Sequence, residues 1–226
     1  MPRRLLSRQI RPRPLDDREM ARYLRVYDAR GLYHHPERYS RLSSRELFDN
    51  SAPLELEVGC GTAEFLCSLA SREPEVNFVG VDIARRPLYK AIAGASALQL
   101  TNVRFLQANF AQLYPLLEPC SLRQVYAHFP DPNARRKFQR RRLVTPAFLE
   151  AIHGALVCGG GLSLMTDHRA LFQELLAVVE ADSRFHRSHA ERYLIGFEPE
   201  IKSRFQRIWE RHGLPILRLE VRKQRL

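Results

Sequence analysis

The side chains of this sequence best suited to chemistry recur at the ends of apolar runs. Glu57-Val-Gly59-Cys-Gly61-Thr-Ala63 closes one such run, and Asp82, Asn109, Asp131 and Asp167 close or follow four later ones. Glycines let the backbone turn tightly and let a ligand come close to it. A carboxylate about twenty residues beyond such a turn is placed to take both hydroxyls of a ribose. No Gly-Lys-Ser/Thr follows the glycines, which excludes a phosphate-cradling P-loop. Five run ends in succession finish in an acid or an amide, a pattern that core packing does not explain.

These residues need elements to hold them in one place. Leu54–Val58 predicts a short alternating strand, followed by a helix over Ala63–Ala70. Strands are expected at Asn77–Asp82, Val103–Gln107, Gln124–Phe129 and Leu162–Met165, with helices at Ala84–Leu100, Val144–Val157 and His168–Asp182. Gly159–Gly161 is expected to stop the helix that precedes it. Strands alternating with helices of this length imply a mostly parallel α/β sheet covered on both faces. Ligands in such sheets bind outside the carboxyl ends of the strands, where the acids and amides fall.

The first fifty residues differ: four prolines, no strong period, 12 basic and seven acidic side chains. They are expected to form a basic arm to about residue 14 and a helix around Asp16–Asp28, ahead of a domain spanning 51–226. The whole chain of 226 residues carries a net charge of +11. Six cations and no acid occupy 133–143, and 11 basic against five acidic residues occupy 184–226, whereas the remaining stretches are acidic overall. Basic charge confined to particular segments suggests a polyanionic partner. The apolar stretches are too short for a membrane span, and no secretory signal is evident, so a soluble cytoplasmic protein is expected. Cys60, Cys67, Cys120 and Cys158 lack metal-finger spacing; three of them sit in apolar or glycine-rich segments, so buried free thiols are expected, with no metal site.

Glu57 narrows the ligand of the glycine turn. A carboxylate there repels the pyrophosphate that a dinucleotide lays over a helix start. It suits S-adenosylmethionine, which carries a cationic sulfonium and an amine and has no phosphate. With Asn109 placed for adenine, Glu57, Gly59, Gly61, Asp82 and Asn109 together resemble the class I S-adenosylmethionine-dependent methyltransferases. That resemblance implies a Rossmann-like fold with a seven-stranded, mostly parallel sheet and helices on both faces.

Phe129-Pro-Asp131-Pro, Arg135 and the run to Arg142-Leu-Val144 form the most specific segment. It closely resembles the Phe-Pro-Asp-Pro-Trp…Lys…Arg-Arg-Leu-Val signature of the tRNA (guanine-N7-)-methyltransferase family. Thr166-Asp167 and Phe197-Glu198 resemble further pieces of that family in the same order. The resemblance implies that Glu57, Asp82, Asn109 and Asp131 are cofactor positions and that Asp131 is also catalytic. Arg135, Asp167, Phe197 and Glu198 would be substrate positions. The expected activity is methyl transfer to guanine N7 in tRNA, in the variable loop at position 46. Departures from the family pattern are Asn133 for Trp, Arg135 for Lys, Asn109 for Asp, Ile195 for Thr and Ala63 at the end of the glycine turn. They keep open a related methyltransferase with a drifted substrate, or a non-catalytic RNA-binding module on the same fold. Asp131 read alone is a turn residue between prolines, and Asp167 and Glu198 read alone are helix caps. The sequence leaves both a monomer and a homodimer open.

Overall fold

The computed structural model describes residues 13–132, 142–197 and 201–224. Two units, Met1–Glu118 and Pro119–Leu226, each hold most of their own contacts.

In the first unit, Asp16 starts α1 (Asp17–Tyr23) with a reciprocal capping box. Its side chain accepts from the Glu19 amide at 2.7 Å, and the Glu19 carboxylate accepts from the Asp16 amide at 3.1 Å. The expected helix to Asp28 is corrected here. The chain leaves α1 at Leu24 and extends as β1 (Leu24–Val26), because sheet pairing and burial of Leu24 outweigh helix propensity. Next come α2 (Ala29–His34), capped by Asp28, and α3 (Ser44–Phe48), capped by Ser43. The βαβ pattern then follows with β2 (Leu54–Val58), α4 (Glu64–Arg72), β3 (Asn77–Asp82), α5 (Arg85–Ala97) and β4 (Val103–Gln107). Four parallel strands result, in the order β1-β4-β3-β2. All five residues of β2 are buried, its two glutamates included, so its alternation does not mark a solvent face. Phe78, Phe105, Leu66, Leu88 and Ile92 fill the core beneath α4 and α5.

Gly80, in the middle of β3, has a packing reason. A Cβ there would stand 2.8 Å from Cys60 Sγ and 3.1 Å from Leu66 Cδ2. The strand therefore admits the glycine turn only because position 80 lacks a side chain. Gly80→Ala is expected to cost about 1–3 kcal/mol through overpacking, which lowers Tm by roughly 2–10 °C for a chain of this size. A thermal melt checks it; an unchanged Tm would mean the turn moves aside freely.

The second unit runs β5 (Leu122–His128), α6 (Pro146–Ala155), β6 (Leu156–Thr166), α7 (Arg169–Glu180), β7 (Phe185–Arg187), β8 (Leu194–Ile195), α8 (Arg204–Arg211) and β9 (Leu217–Lys223). β5 and β6 are parallel, and β9 lies antiparallel to β6, β7 and β8. The glycine triplet corrects a second expectation: helix α6 ends at Ala155, and Gly159–Gly161 lie inside an 11-residue strand. Gln124 of β5 occupies the space a side chain at Gly161 would need, 2.0 Å from an ideal Cβ. Nine strands form among the described residues where seven were expected; β1, β7 and β8 have two or three residues each and no strand signal in the sequence. Cys60 and Cys67 are buried as expected, but Cys120 and Cys158 are exposed. No helix among the described residues is long and apolar enough to cross a membrane.

Candidate active site

The register Val58↔Val81 and Asp82↔Gln107 brings the carboxyl ends of β2, β3 and β4 to one rim. Gly59 and Gly61 there take φ values of 78° and 56°, which L side chains adopt at a cost. Ala63 shares that left-handed conformation at φ 50°. The amides of Gly59 and Cys60 both donate to Val81 O, at 2.8 and 3.1 Å, pinning the turn to β3. Asp82 completes the clamp: its two oxygens accept from Gly61 N at 2.9 Å and Ala84 N at 2.7 Å. Burial raises its pKa despite those amides. Each carboxylate oxygen has a second lone pair, so holding the turn and receiving ribose hydroxyls are compatible duties.

Glu57 is 5% exposed, and its Oε2 has no hydrogen-bond partner among the described residues. Burial first, then repulsion from Asp82, pushes its pKa up to about 8. A buried carboxylate oxygen without a donor is costly unless something supplies one. A cationic ligand in the turn would supply both charge and donor, so this chain's residues fit S-adenosylmethionine. Asn109 is exposed beyond β4, where its Oδ1 accepts from Ala111 N at 3.2 Å and caps the short turn Phe110–Gln112. Its side-chain NH₂ remains as a donor of the kind adenine ring nitrogens accept. The structure thus gathers Glu57, Gly59, Gly61 and Asp82 tightly, with Asn109 on the neighbouring strand end.

In the second unit the register His128↔Met165 brings the ends of β5 and β6 to a common rim. Phe129 leaves β5 at φ 53°, an outlying conformation for a bulky residue, and its amide donates to Met165 O at 2.6 Å. Its ring is buried against Phe205 at a centroid distance of 6.0 Å, within a cluster that includes Met165, Trp209 and Ile216. This fixed departure starts Pro130-Asp131-Pro132, with Asp131 exposed. On β6, buried Thr166 accepts from His168 N at 3.2 Å, and half-buried Asp167 follows it. His128 is buried against Ser163 Oγ at 3.0 Å, and burial with the nearby Arg218 charge pulls its pKa down to about 3. It is therefore the neutral imidazole near pH 7, with one ring N–H and one acceptor nitrogen.

Phe197 packs on the same cluster, and the Arg218 guanidinium lies 4.5 Å from its ring centroid. Sequence reasoning missed Arg218 as the residue that seats Phe197; its strand alternates apolar and charged residues, and nothing in that pattern sets this cation apart. Arg135 and Glu198 lie outside the described residues. Of the basic run, Arg142 is described, and it makes a two-point ion pair with Glu174, with Nε–Oε2 at 2.8 Å and Nη2–Oε1 at 3.2 Å. It therefore ties residue 142 to α7. A separate cavity of about 600 Å³, lined by Gly159, His186, Arg222, Lys223 and Gln224, lies toward the opposite end of β6 from Asp167 and has no part in this constellation.

Residues 51–219 match a family profile described as "Putative methyltransferase". A tRNA (guanine-N(7)-)-methyltransferase of Rubrobacter xylanophilus is 49% identical over 221 residues, covering 98% of this chain and 99% of that protein. The protein of the same name from Chloroherpeton thalassium is 35% identical over 205 residues, covering 91% of each. Among solved structures, the 16S rRNA methyltransferase KamB superposes with a TM-score of 0.57 at 18% identity, covering 80% of this chain and 92% of that one. A 16S rRNA (adenine(1408)-N(1))-methyltransferase with its cosubstrate S-adenosylmethionine gives 0.56 at 16% identity, covering 77% of this chain and 88% of that one. These two likenesses establish the Rossmann-like class I fold. The near full-length identity to the named relatives, together with the glycine turn, the buried Glu57 and the strand-end acids, establishes that this chain belongs to the tRNA (guanine-N7-)-methyltransferase family, whose cofactor is S-adenosylmethionine.

Proposed function

We propose that this chain methylates N7 of the guanosine in the tRNA variable loop at position 46, with Asp131 as its catalytic residue. One observation carries the cofactor half: the buried, donor-less Glu57 oxygen beside a turn held open by Asp82. S-adenosylmethionine, when bound, supplies a methyl group on a positively charged sulfur. Glu57 would face that ligand's cationic part, Asp82 its ribose and Asn109 its adenine.

Guanine N7 has an in-plane lone pair and no proton, so no general base is needed. Transfer of that methyl group to N7 would leave a positive charge on the purine. What remains for the protein is alignment, and fixed alignment can supply roughly 7–11 kcal/mol. Guanine's N1–H and N2–H₂ edge is all donors, which a carboxylate accepts as a fork. Asp131, aimed by the fixed backbone of Phe129, suits that edge and tolerates the charge that methylation creates. Asp167, Phe197, Arg135 and Glu198 are the further substrate positions.

Incubating unmodified tRNA with protein and S-adenosylmethionine, then sequencing the fragments by mass spectrometry, tests this reading. The expected product is 7-methylguanosine in the variable-loop fragment alone. Methylation elsewhere would move the target, and no methylation with intact cofactor binding would favour the RNA-binding module.

A further inference from the structure

The cofactor rim leaves unexplained the exposed helix that follows β1. We propose that the outer face of α2 and the turn after it, carrying Arg30, Tyr33, His34 and Arg38, is an RNA contact on which Tyr33 stacks an unpaired base of the tRNA. This rests on the reading that tRNA is the substrate.

Its location favours that role. Tyr27, at the end of β1, donates its amide to Gln107 O at 3.0 Å, so α2 begins where β4 ends. The helix packs on the turn Phe110–Gln112, which Asn109 caps. It therefore stands beside the cofactor rim.

Its construction is rigid. Asp28 accepts from Gly31 N at 2.7 Å and from Tyr39 Oη at 2.5 Å. Tyr39 in turn stacks on Tyr27, with ring centroids 5.1 Å apart. The Tyr39 hydroxyl fills the space at Gly31, only 2.0 Å from an ideal Cβ. Leu32 is buried and anchors the inner face. Against that fixed support, Tyr33 is 83% exposed and meets only the edge of the His34 ring, at 5.0 Å.

The charge around it is complementary to a polyanion. Residues 22–41 hold five arginines and two carboxylates. Asp28 is spent on Gly31 and Tyr39, and Glu37 lies 3.3 Å from His35. Among the described residues, Arg30 and Arg38 make no ion pair. An exposed aromatic ring on a rigid support, in a segment that also carries cations without ion pairs, is the arrangement that stacks bases without reading their sequence.

The test uses the full-length chain with unmodified tRNA. Tyr33→Ala should weaken tRNA binding about tenfold or more, the loss typical of one base–aromatic stack, and should raise KM for tRNA with kcat little changed. Tyr33→Phe should keep binding within about twofold, since the ring is what stacks. Calorimetry with S-adenosylhomocysteine should give the wild-type affinity for both variants. The double variant Arg30→Ala/Arg38→Ala should make the slope of log K against log[salt] shallower by roughly one to two. Wild-type affinity and KM in Tyr33→Ala would overturn the surface while leaving the methyltransferase reading intact. A change in sedimentation mass with tRNA affinity unaltered would assign the patch to a second copy of the chain and overturn it equally. A wild-type chain that neither binds nor methylates tRNA would overturn both readings together.

Discussion

Asp131→Ala is expected to lower kcat by about a hundredfold or more, the scale seen when one preorganised polar contact to a transition state is removed. Affinity for tRNA should stay within about threefold, because phosphate contacts dominate RNA binding. The split follows from where Asp131 sits. It is exposed beyond β5, so its loss leaves no cavity, and the Phe129 backbone just ahead of it is held by its amide bond to Met165 O. Asp131→Asn should be nearly as damaging, since an amide offers one acceptor and opposes a donor to the guanine edge. Single-turnover methyl transfer with saturating cofactor, alongside filter binding of tRNA, separates the two quantities. Near-normal turnover in Asp131→Ala would return this residue to the role of a turn between two prolines.

Glu57→Gln is expected to weaken S-adenosylmethionine binding by about ten- to a hundredfold, the range for losing a hydrogen bond to a charged group. The pH dependence is the sharper test. Burial, and then the nearby Asp82 charge, push the Glu57 pKa up to about 8 from the ordinary carboxyl value of 4.5. The free protein thus keeps a proton on this group at neutral pH, and a cationic ligand must displace it. Affinity should therefore rise with pH, by at most about tenfold per unit, and level off above about 8. Calorimetry at pH 7 in two buffers of different ionisation enthalpy should detect the released proton, which Glu57→Gln should abolish. Stability runs the other way. A raised carboxyl pKa contributes stability that is full below the unfolded value and is lost as pH rises through the folded one. Between about pH 4.5 and 8 the ligand-free wild type should lose stability on account of this group, and Glu57→Gln should melt higher near pH 8–9. Flat affinity from pH 6 to 8, with no proton released, would mean that Glu57 is already ionised in the free protein.

How much of this was legible in the sequence depended on the range of the interactions. β3 and β4 fall where their apolar runs place them, because each is short, buried and bounded by turn residues. Glu57, Gly59, Gly61 and Asp82 were legible together, since a tight turn at a strand end is a local device. β1 was not, because three residues after a helix become a strand only when β4 offers an edge. The glycine triplet misled for the same reason: glycines that look like a helix stop are spaces for Gln124 on the neighbouring strand. The pairing of Arg218 with Phe197 joins residues 21 positions apart in sequence, and no spacing rule connects them. Cys120 turns at φ 51° and Cys158 occupies an exposed position near the start of β6, neither of which composition alone shows.

β1 has a further consequence, for aggregation. It is the outermost of the four parallel strands in the first unit and covers the edge of β4, whose Val103, Phe105 and Leu106 are fully buried. An uncovered apolar edge is a template for pairing with any other extended chain. β1 closes that template with only three residues, one of them Arg25, whose guanidinium caps the Ala21 and Leu24 carbonyls. What it presents outward in turn is too short and too charged to recruit a neighbour. The N-terminal segment thus acts as a selvedge, the woven border that keeps the sheet from fraying into its neighbours.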